Sequence, residues 1–242
     1  MCIAILKKKN KQISKKTLER CFDSNPDGAG FMFAENGKLN VFKGYMAFAE
    51  FWNVYNGIKT SDKNVLIHFR IKTHGSISVE NCHPFLVSNE LGFIHNGVID
   101  IKTKGTESDT MSFNRMYLKM IKDLHLAIKQ NGIQKLIQDR INNSKLIFLD
   151  RFSNYTIINE KAGQWHKGSW FSNSSFKGSK TCQIQTFSFD SDYYNDYDEK
   201  CLNCQNYLFE DEEFESGYCF GCLETNEQTY NKIKNNSWRY FN

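Results

Sequence analysis

The stretch VLIHFRIKTHGSISVENCHPFLVSNELGFIHNGVI, residues 65–99, is the segment around which this chain is organised. It contains two apolar runs rich in β-branched and aromatic residues, 65–71 and 91–99, which predict two buried strands. Polar and turn-forming residues crowd the ends of these runs, and they are Arg70, Thr73, His74, Gly75, Asn81, His83, Pro84, Asn96 and Gly97. Because each buried polar group needs a hydrogen-bond partner, a stretch that served only as hydrophobic core would not contain so many polar residues. The pattern predicts a site at the ends of two strands.

A second feature lies at the start of the chain, far away in sequence. Cys2 precedes a short apolar run, residues 3–6, which predicts a strand. Removal of Met1 would leave Cys2, whose side chain is small, with a free α-amine. A thiol beside its own α-amine is a nucleophile with a built-in base, because that amine has an ordinary pKa of about 7.7–8.0.

Together these features resemble the class II glutamine amidotransferase domain of the N-terminal nucleophile hydrolases. The resemblance covers residues 1–190 at the level of motifs, which follow the order of the family: Cys2, Asp27-Gly28-Ala29-Gly30, His68 to Gly75, Asn81 to Phe85, His95-Asn96-Gly97 and Ser108-Asp109-Thr110. The chain also looks like stand-alone versions encoded by phages, which lack a synthase domain. The resemblance implies an α+β fold of four layers, αββα, in which helices flank two sheets. The pattern alone predicts only a mixture of helices and strands.

The resemblance implies a catalytic set. Cys2 would attack the side-chain amide carbon of glutamine, and its α-amine would relay the proton to the departing ammonia. The Asn96 side chain and the Gly97 backbone N–H would form the oxyanion hole, where one donor is typically worth about 10²–10³ in rate. Without the family, Asn96-Gly97 would be interpreted as a type I′ turn between two strands.

The resemblance also implies a binding set for a free amino acid. Arg70 would bind the α-carboxylate of glutamine with its planar fork, and Asp109 would bind the α-ammonium. Thr73 and His83 match positions that line the glutamine pocket. The alternatives are a strand-end ion pair for Arg70, a helix N-cap for Asp109 and a structural His-Pro pair at His83.

Two residues depart from the family pattern. Ile3 stands where glycine usually follows the nucleophile, and Ile71 stands where tryptophan usually follows the pocket arginine. The second departure keeps open a related amidohydrolase that acts on another amide. A third hypothesis is a fold that has lost catalysis and serves as a binding module.

The remaining elements follow from local signals. They are a helix capped by Ser14 and running to Cys21, a hairpin at Asn36-Gly37 between strands 31–34 and 39–42, an amphipathic helix at 47–58, a long helix opening at Asp109, a helix at 133–142, a strand pair at 145–150 and 155–159, and a final turn at 165–175. In the long helix, Met116, Met120 and Leu124 share one face. The final turn contains Phe171-Ser172-Asn173 and resembles a late segment of the family.

The composition changes near residue 190. We divide the chain into an amidotransferase domain at 2–189, an acidic linker at 190–200 and a C-terminal module at 201–242. The module carries two CxxC pairs fourteen residues apart, and their ligands would be Cys201, Cys204, Cys219 and Cys222. Four thiolates on two tight turns suit tetrahedral Zn²⁺, and this zinc would supply most of the folding energy of so small a module.

The charge distribution and the expected cellular compartment limit which partners this protein can have. Residues 190–242 contain four Lys/Arg against twelve Asp/Glu, so the rest of the chain is basic. The acidic module argues against binding a nucleic-acid backbone and is a candidate docking element for a separate acceptor or synthase chain. The chain shows neither a long apolar run nor a signal-peptide pattern, so we expect a reducing cytoplasm, that of the host if a phage encodes the protein, and no membrane partner.

Overall fold

Near-continuous apolar runs produce the inner strands of this protein, which are buried on both faces, and helical periodicity produces the segments that cover the sheets. The computed structural model describes residues 2–58, 62–72 and 75–177. Within these ranges the strands are β1 (Ile3–Lys7), β2 (Ala29–Glu35), β3 (Lys38–Tyr45), β4 (Val65–Phe69), β5 (Phe85–Ser88), β6 (Leu91–Asn96), β7 (Lys145–Asp150), β8 (Tyr155–Ile158), β9 (Gln164–His166) and β10 (Ser169–Phe171). The α-helices are α1 (Lys15–Asp23), α2 (Phe48–Asn56), α3 (Asp109–Met116), α4 (Leu124–Ala127) and α5 (Asn131–Ile141).

The strands form two antiparallel sheets. The first sheet has the order β3-β2-β4-β1-β10-β9, and the second has the order β5-β6-β7-β8. The predicted hairpin joins β2 to β3, where Asn36 and Gly37 both have positive φ, at 51° and 71°. Positive φ at both central residues is the requirement of a type I′ turn, so this local prediction is confirmed.

Alternating side chains arrange the sheets and helices in four layers. In β1, Ile3 and Ile5 pack in a cluster with Leu18 of α1 and Phe51 of α2. Ala4 and Leu6 point to the opposite face and pack in a cluster with residues of β6 and β7. A third cluster fills the space between the second sheet and the helices α3 to α5. The mixed α+β fold with two antiparallel sheets is confirmed, and its layers follow the order helix, sheet, sheet, helix.

The capping and core predictions for α1 are confirmed. The Ser14 side chain accepts a hydrogen bond from the Thr17 backbone N–H at 3.1 Å, as an N-cap residue does. Cys21 is fully buried in the first core cluster, and burial raises the pKa of its thiol to about 12. This thiol is therefore an inert core group.

Two predictions about the second half of the chain are wrong. The helix that opens at Asp109 ends at Met116, and the chain then turns through a 3-10 segment and a positive φ of 51° at Asp123. The predicted face does not form, because Met120 is 72% exposed whereas Leu124 is buried. The segment 165–175 is not a simple turn either, since it contributes β10, which pairs with β1.

Residues 85–88 form strand β5, which was not predicted as a strand. The acidic linker and the four-cysteine module lie outside the described residues. Among the helices that the structure describes, none has both the length and the apolar character needed to cross a membrane.

Candidate active site

Cys2 lies directly before β1, in the middle of the first sheet. Antiparallel pairing sets Ile3 opposite Phe69, so Cys2 lies beside the residues that follow β4. The Cys2 thiol donates to the Ile71 carbonyl at 3.3 Å, and the Ile71 N–H donates to the Cys2 sulfur at 3.4 Å. From the other side, the Asn173 side-chain amide donates to the Cys2 carbonyl at 2.7 Å. Backbone and side-chain contacts therefore hold Cys2 between the residues that follow β4 and those that follow β10.

The electrostatic environment of Cys2 favours the neutral thiol. Burial raises the pKa of Cys2 above its ordinary value, and the hydrogen bond from Ile71 and the nearby Arg70 guanidinium only partly oppose this effect. Among the described residues, the hydrogen-bond partners of the Cys2 sulfur are backbone groups of Ile71. No described side chain forms a hydrogen bond to this sulfur. A nucleophilic attack by the thiol would therefore need another group as its base.

The glycine-rich turn holds the Arg70 segment in place. The Asp27 N–H donates to the Arg70 carbonyl at 2.8 Å, and the Arg70 N–H donates to the Gly28 carbonyl at 2.8 Å. The Asp27 carboxylate accepts from the Lys72 N–H at 2.7 Å. Gly28 has a φ of 132°, and a Cβ there would collide with the Cys82 sulfur. The turn therefore requires glycine and positions Arg70, which is buried.

Asn96 and Gly97 end strand β6. Asn96 lies in the strand, opposite Lys145, and only Gly97 has a positive φ, at 144°. A type I′ turn needs positive φ at two successive residues, so that alternative is wrong. A Cβ on Gly97 would collide with the side chain of Ser144, whose hydroxyl donates to the Val98 carbonyl at 2.9 Å. Only glycine fits this position without displacing its neighbours.

Asp109 is the first residue of α3, and Ser108 is the cap. The Ser108 hydroxyl accepts from the Met111 N–H at 3.3 Å, so the N-cap alternative for Asp109 is wrong. One Asp109 oxygen accepts from the Ile99 N–H at 2.8 Å, and the other accepts from the Thr110 N–H at 2.8 Å. The carboxylate thus joins the segment after Gly97 to the start of α3. The oxygen bound to the Thr110 N–H also accepts from the Thr110 hydroxyl at 3.3 Å, whereas the oxygen bound to the Ile99 N–H keeps a second lone pair for another donor.

Three histidines form a buried cluster beside these groups. The ring centroids of His68 and His83 are 4.0 Å apart, and those of His83 and His95 are 6.3 Å apart. Burial lowers the pKa of His68 to about 3, that of His95 to about 4 and that of His83 well below its ordinary value. The rings are therefore neutral near pH 7. The two ring nitrogens of His83 have no hydrogen-bond partner in the part of the chain that the structure describes.

The groups described above meet at one small cleft, where the empty space, part of it open solvent, is about 280 Å³. Its lining consists of Cys2, Arg70, Ile71, His83, His95, Gly97, Ser108, Asp109 and Thr110. Five of the predicted site residues are among them, and Asn96 precedes one of these five in the chain. Thr73 lies outside the described residues, as do the four cysteines of the C-terminal module. No group of three or more potential metal ligands occurs among the residues that the structure describes.

Sequence reasoning did not assign a role to Ser172 and Asn173. The Ser172 hydroxyl lies 2.7 Å from the Asn96 side-chain nitrogen, and Asn173 binds the Cys2 carbonyl. The available signal was the resemblance of this segment to a late part of the family. A sequence separation of 171 residues between Asn173 and Cys2 hides their contact from any local pattern.

Comparison with known proteins gives a partial match. No family profile matches the chain. It is 32% identical over 130 residues to a protein named probable glutamine amidotransferase DUG3, from Saccharomyces cerevisiae, and the match covers 49% of this chain and 33% of that relative. The chain thus resembles a glutamine amidotransferase. It spans about a third of the length of this curated relative.

Two solved structures show weaker likeness. Glutamine phosphoribosylpyrophosphate amidotransferase from B. subtilis has a TM-score of 0.42 at 15% identity, covering 71% of this chain and 41% of that one. A glutamine aminotransferase class-II domain protein from Silicibacter pomeroyi has a TM-score of 0.33 at 16% identity, covering 62% of this chain and 73% of that one. At these values neither structure supports an argument about function.

Proposed function

We propose that this protein is a class II glutamine amidotransferase of the N-terminal nucleophile type, which hydrolyses the side-chain amide of glutamine with Cys2. The observation that carries the proposal is the meeting of a thiol, a guanidinium, a carboxylate and a glycine N–H at one cleft. These groups belong to Cys2, Arg70, Asp109 and Gly97. The similarity to a probable glutamine amidotransferase supports the same reaction.

The cleft suits a free α-amino acid. Arg70 binds the α-carboxylate of glutamine with two parallel N–H donors, and Asp109 binds the α-ammonium with the lone pair left on the oxygen that contacts the Ile99 N–H. Since a peptide-linked glutamine lacks both charges, this pair selects the free amino acid.

The chemistry begins with proton transfer from the thiol. Burial keeps the Cys2 thiol protonated, and the α-amine that Met1 removal exposes accepts this proton. The thiolate adds to the amide carbon, and the oxygen becomes an oxyanion bound by the Gly97 N–H and the Asn96 amide. The α-ammonium of Cys2 then returns the proton to the amide nitrogen of the substrate, the C–N bond breaks, and ammonia leaves. Water attacks the resulting thioester, which releases glutamate and restores the thiol.

The neutral histidines fit this scheme as an uncharged wall of the cleft. His83 lines the cleft with two ring nitrogens that have no partner among the described residues. A neutral imidazole offers one donor and one acceptor. A primary amide can pair with both, because its carbonyl oxygen accepts and its N–H₂ group donates. His83 therefore contributes to recognition of the substrate without adding charge beside Arg70.

The C-terminal module extends the proposal. Cys201, Cys204, Cys219 and Cys222 bind one structural Zn²⁺, an assignment that rests on the spacing of two CxxC pairs. Residues 190–242 dock a separate chain that accepts the ammonia, and their net negative charge defines a basic partner surface. Deletion of residues 190–242 should leave glutaminase activity intact and abolish capture of that chain.

The test is intact mass spectrometry before and after treatment with a diazo-ketone analogue of glutamine. We expect a mass that lacks Met1 and one adduct, which peptide mapping places on Cys2 and not on the buried Cys21 or Cys82. The Cys2→Ala variant should give no adduct and no ammonia. Retained Met1, or processed protein without an adduct, would overturn the proposal and favour a binding module. Faster hydrolysis of asparagine or of short peptides would favour a related amidohydrolase.

A further inference from the structure

Ser172 connects the two sheets at the active site. It follows β10 and is fully buried. Its hydroxyl oxygen accepts from the Ala4 N–H at 2.9 Å, and its own N–H donates to the Ala4 carbonyl at 2.9 Å. The same hydroxyl lies 2.7 Å from the side-chain nitrogen of Asn96, which belongs to the second sheet. Ser172 thus links the strand of the nucleophile to the strand of the proposed oxyanion hole.

The hydrogen bonds around this contact contain two unmet groups. With the Asn96 nitrogen toward Ser172, the hydroxyl accepts two hydrogen bonds, and its own proton has no acceptor among the described residues. The Asn96 side-chain oxygen is buried, and it too lacks a partner within the described residues. Two unmet groups on adjacent buried side chains are unusual, because buried polar atoms are nearly always paired.

Rotation of the Asn96 amide by 180° resolves both. The oxygen then faces Ser172 and accepts the hydroxyl proton, while the hydroxyl still accepts from the Ala4 N–H. Nitrogen and oxygen exchange places with almost no change of shape, and the hydrogen-bond network decides between the two orientations. The one group left without a partner is now an N–H donor, one residue before the cleft-lining Gly97.

We infer that Ser172 is a positioning residue that holds the Asn96 amide with its N–H₂ directed toward the oxyanion. This inference rests on the proposed function, since the donor has a purpose only when an oxyanion forms. In the opposite orientation the amide oxygen would face the oxyanion and repel it. Asn173 completes the arrangement, because the next side chain along the chain holds the Cys2 carbonyl.

The expected effect falls on kcat. An oxyanion donor acts in the transition state and not in the bound substrate, so its loss lowers kcat and leaves KM nearly unchanged. Removal of a complete donor typically costs about 10²–10³ in kcat. Without Ser172 the amide retains its donor but is no longer held in one orientation. Because equal sampling of the two orientations lowers the competent fraction to about one half, we expect a smaller loss, roughly two- to tenfold.

The experiment compares Ser172→Ala and Ser172→Thr with the matched control Ser169→Ala. Ser169 is the first residue of β10, the strand that ends directly before Ser172; it is equally buried, and its hydroxyl has no partner among the described residues. Ser172→Ala should lower kcat and weaken binding of glutamate γ-semialdehyde, an aldehyde that forms a tetrahedral adduct, by the same factor. Alkylation of Cys2 by iodoacetamide, which forms no oxyanion, should keep its rate. Ser172→Thr should restore kcat, and Ser169→Ala should match the unaltered protein.

Two results would overturn the inference. One is an unchanged kcat in Ser172→Ala. The other is an equal fall in kcat and in the alkylation rate, which would indicate a structural role. Failure of the proposed function looks different, because the unaltered protein itself would release no ammonia. Neutron diffraction then decides the orientation independently of activity: an oxygen facing Ser172 supports the inference, and a nitrogen facing it refutes the inference.

Discussion

Replacing Asp109 by asparagine separates two roles that the structure combines in one carboxylate. Its oxygens accept hydrogen bonds from the Ile99 N–H and the Thr110 N–H, both at 2.8 Å. The same group is the proposed partner of the substrate α-ammonium. Asparagine has nearly the same shape, but it has one oxygen instead of two and no charge.

The structural cost follows from the two backbone donors. One of them must face the amide N–H₂ of the asparagine, and a buried donor without an acceptor costs about 1–3 kcal/mol in the free energy of unfolding. At about 2–4 °C per kcal/mol for a domain of this size, we expect Tm to fall by roughly 2–12 °C. Loss of the charged hydrogen bond to the substrate costs a further 1.5–3 kcal/mol or so in binding. That is roughly a ten- to hundredfold fall in kcat/KM for glutamine.

The assay measures ammonia released from glutamine and from N-acetylglutamine, which lacks the α-ammonium. Asp109→Asn should lower kcat/KM for glutamine and leave the poor rate on N-acetylglutamine unchanged, so the preference for glutamine collapses. The control is Asp150→Asn. Asp150 is a buried carboxylate at the opposite end of the β6–β7 pair, and its oxygen accepts from the Phe152 and Asn154 N–H groups. This variant should lose stability and keep the preference.

An unchanged preference in Asp109→Asn, with a fall in Tm, would refute the binding role. Asp109 would then serve only to tie the segment after Gly97 to α3. An unchanged Tm would refute the structural part of the reasoning instead.

Three further predictions follow from the same geometry. Gly97→Ala should abolish ammonia release and lower Tm well below that of Gly37→Ala. Both glycines have positive φ, at 144° and 71°, but a Cβ at Gly97 also collides with Ser144 whereas one at Gly37 meets nothing within 4 Å; equal Tm values would contradict this. The folded-state pKa values of His68 and His95, about 3 and about 4, lie below their ordinary value, so the unfolded chain binds protons first as pH falls. Each of these histidines therefore contributes its full stability above about pH 6.5, and the free energy of unfolding falls toward pH 4 by about 1.4 kcal/mol per pH unit and per histidine. Burial also lowers the pKa of His83, so in denaturant titrations the unfolding free energy of His83→Phe should depend on pH less steeply, by one proton. Elemental analysis should find one zinc per chain, and a chelator should remove it without loss of glutaminase activity; absence of zinc would refute the four-cysteine site.

Local signals predicted most of the strands and caps, because each depends on residues close in sequence. The type I′ hairpin at Asn36-Gly37 follows from two residues that tolerate positive φ. The cap at Ser14 depends on a partner three residues away. Local signals failed after Met116, where a regular pattern predicted one long helix. There the burial of Leu118 and Leu124 in the cluster between the second sheet and the helices α3 to α5 outweighed the pattern, and tertiary packing ended the helix.

By itself the sequence determined which chemical groups the site contains: a thiol next to the start of the chain, and an arginine, an Asn-Gly pair and an aspartate near predicted element ends. The tertiary structure alone decided how these groups are held. It placed Ser172 against Asn96 across 76 residues and Asn173 against Cys2 across 171 residues. Such contacts depend on which strands pair and which faces meet, and that outcome is a property of the whole packed chain.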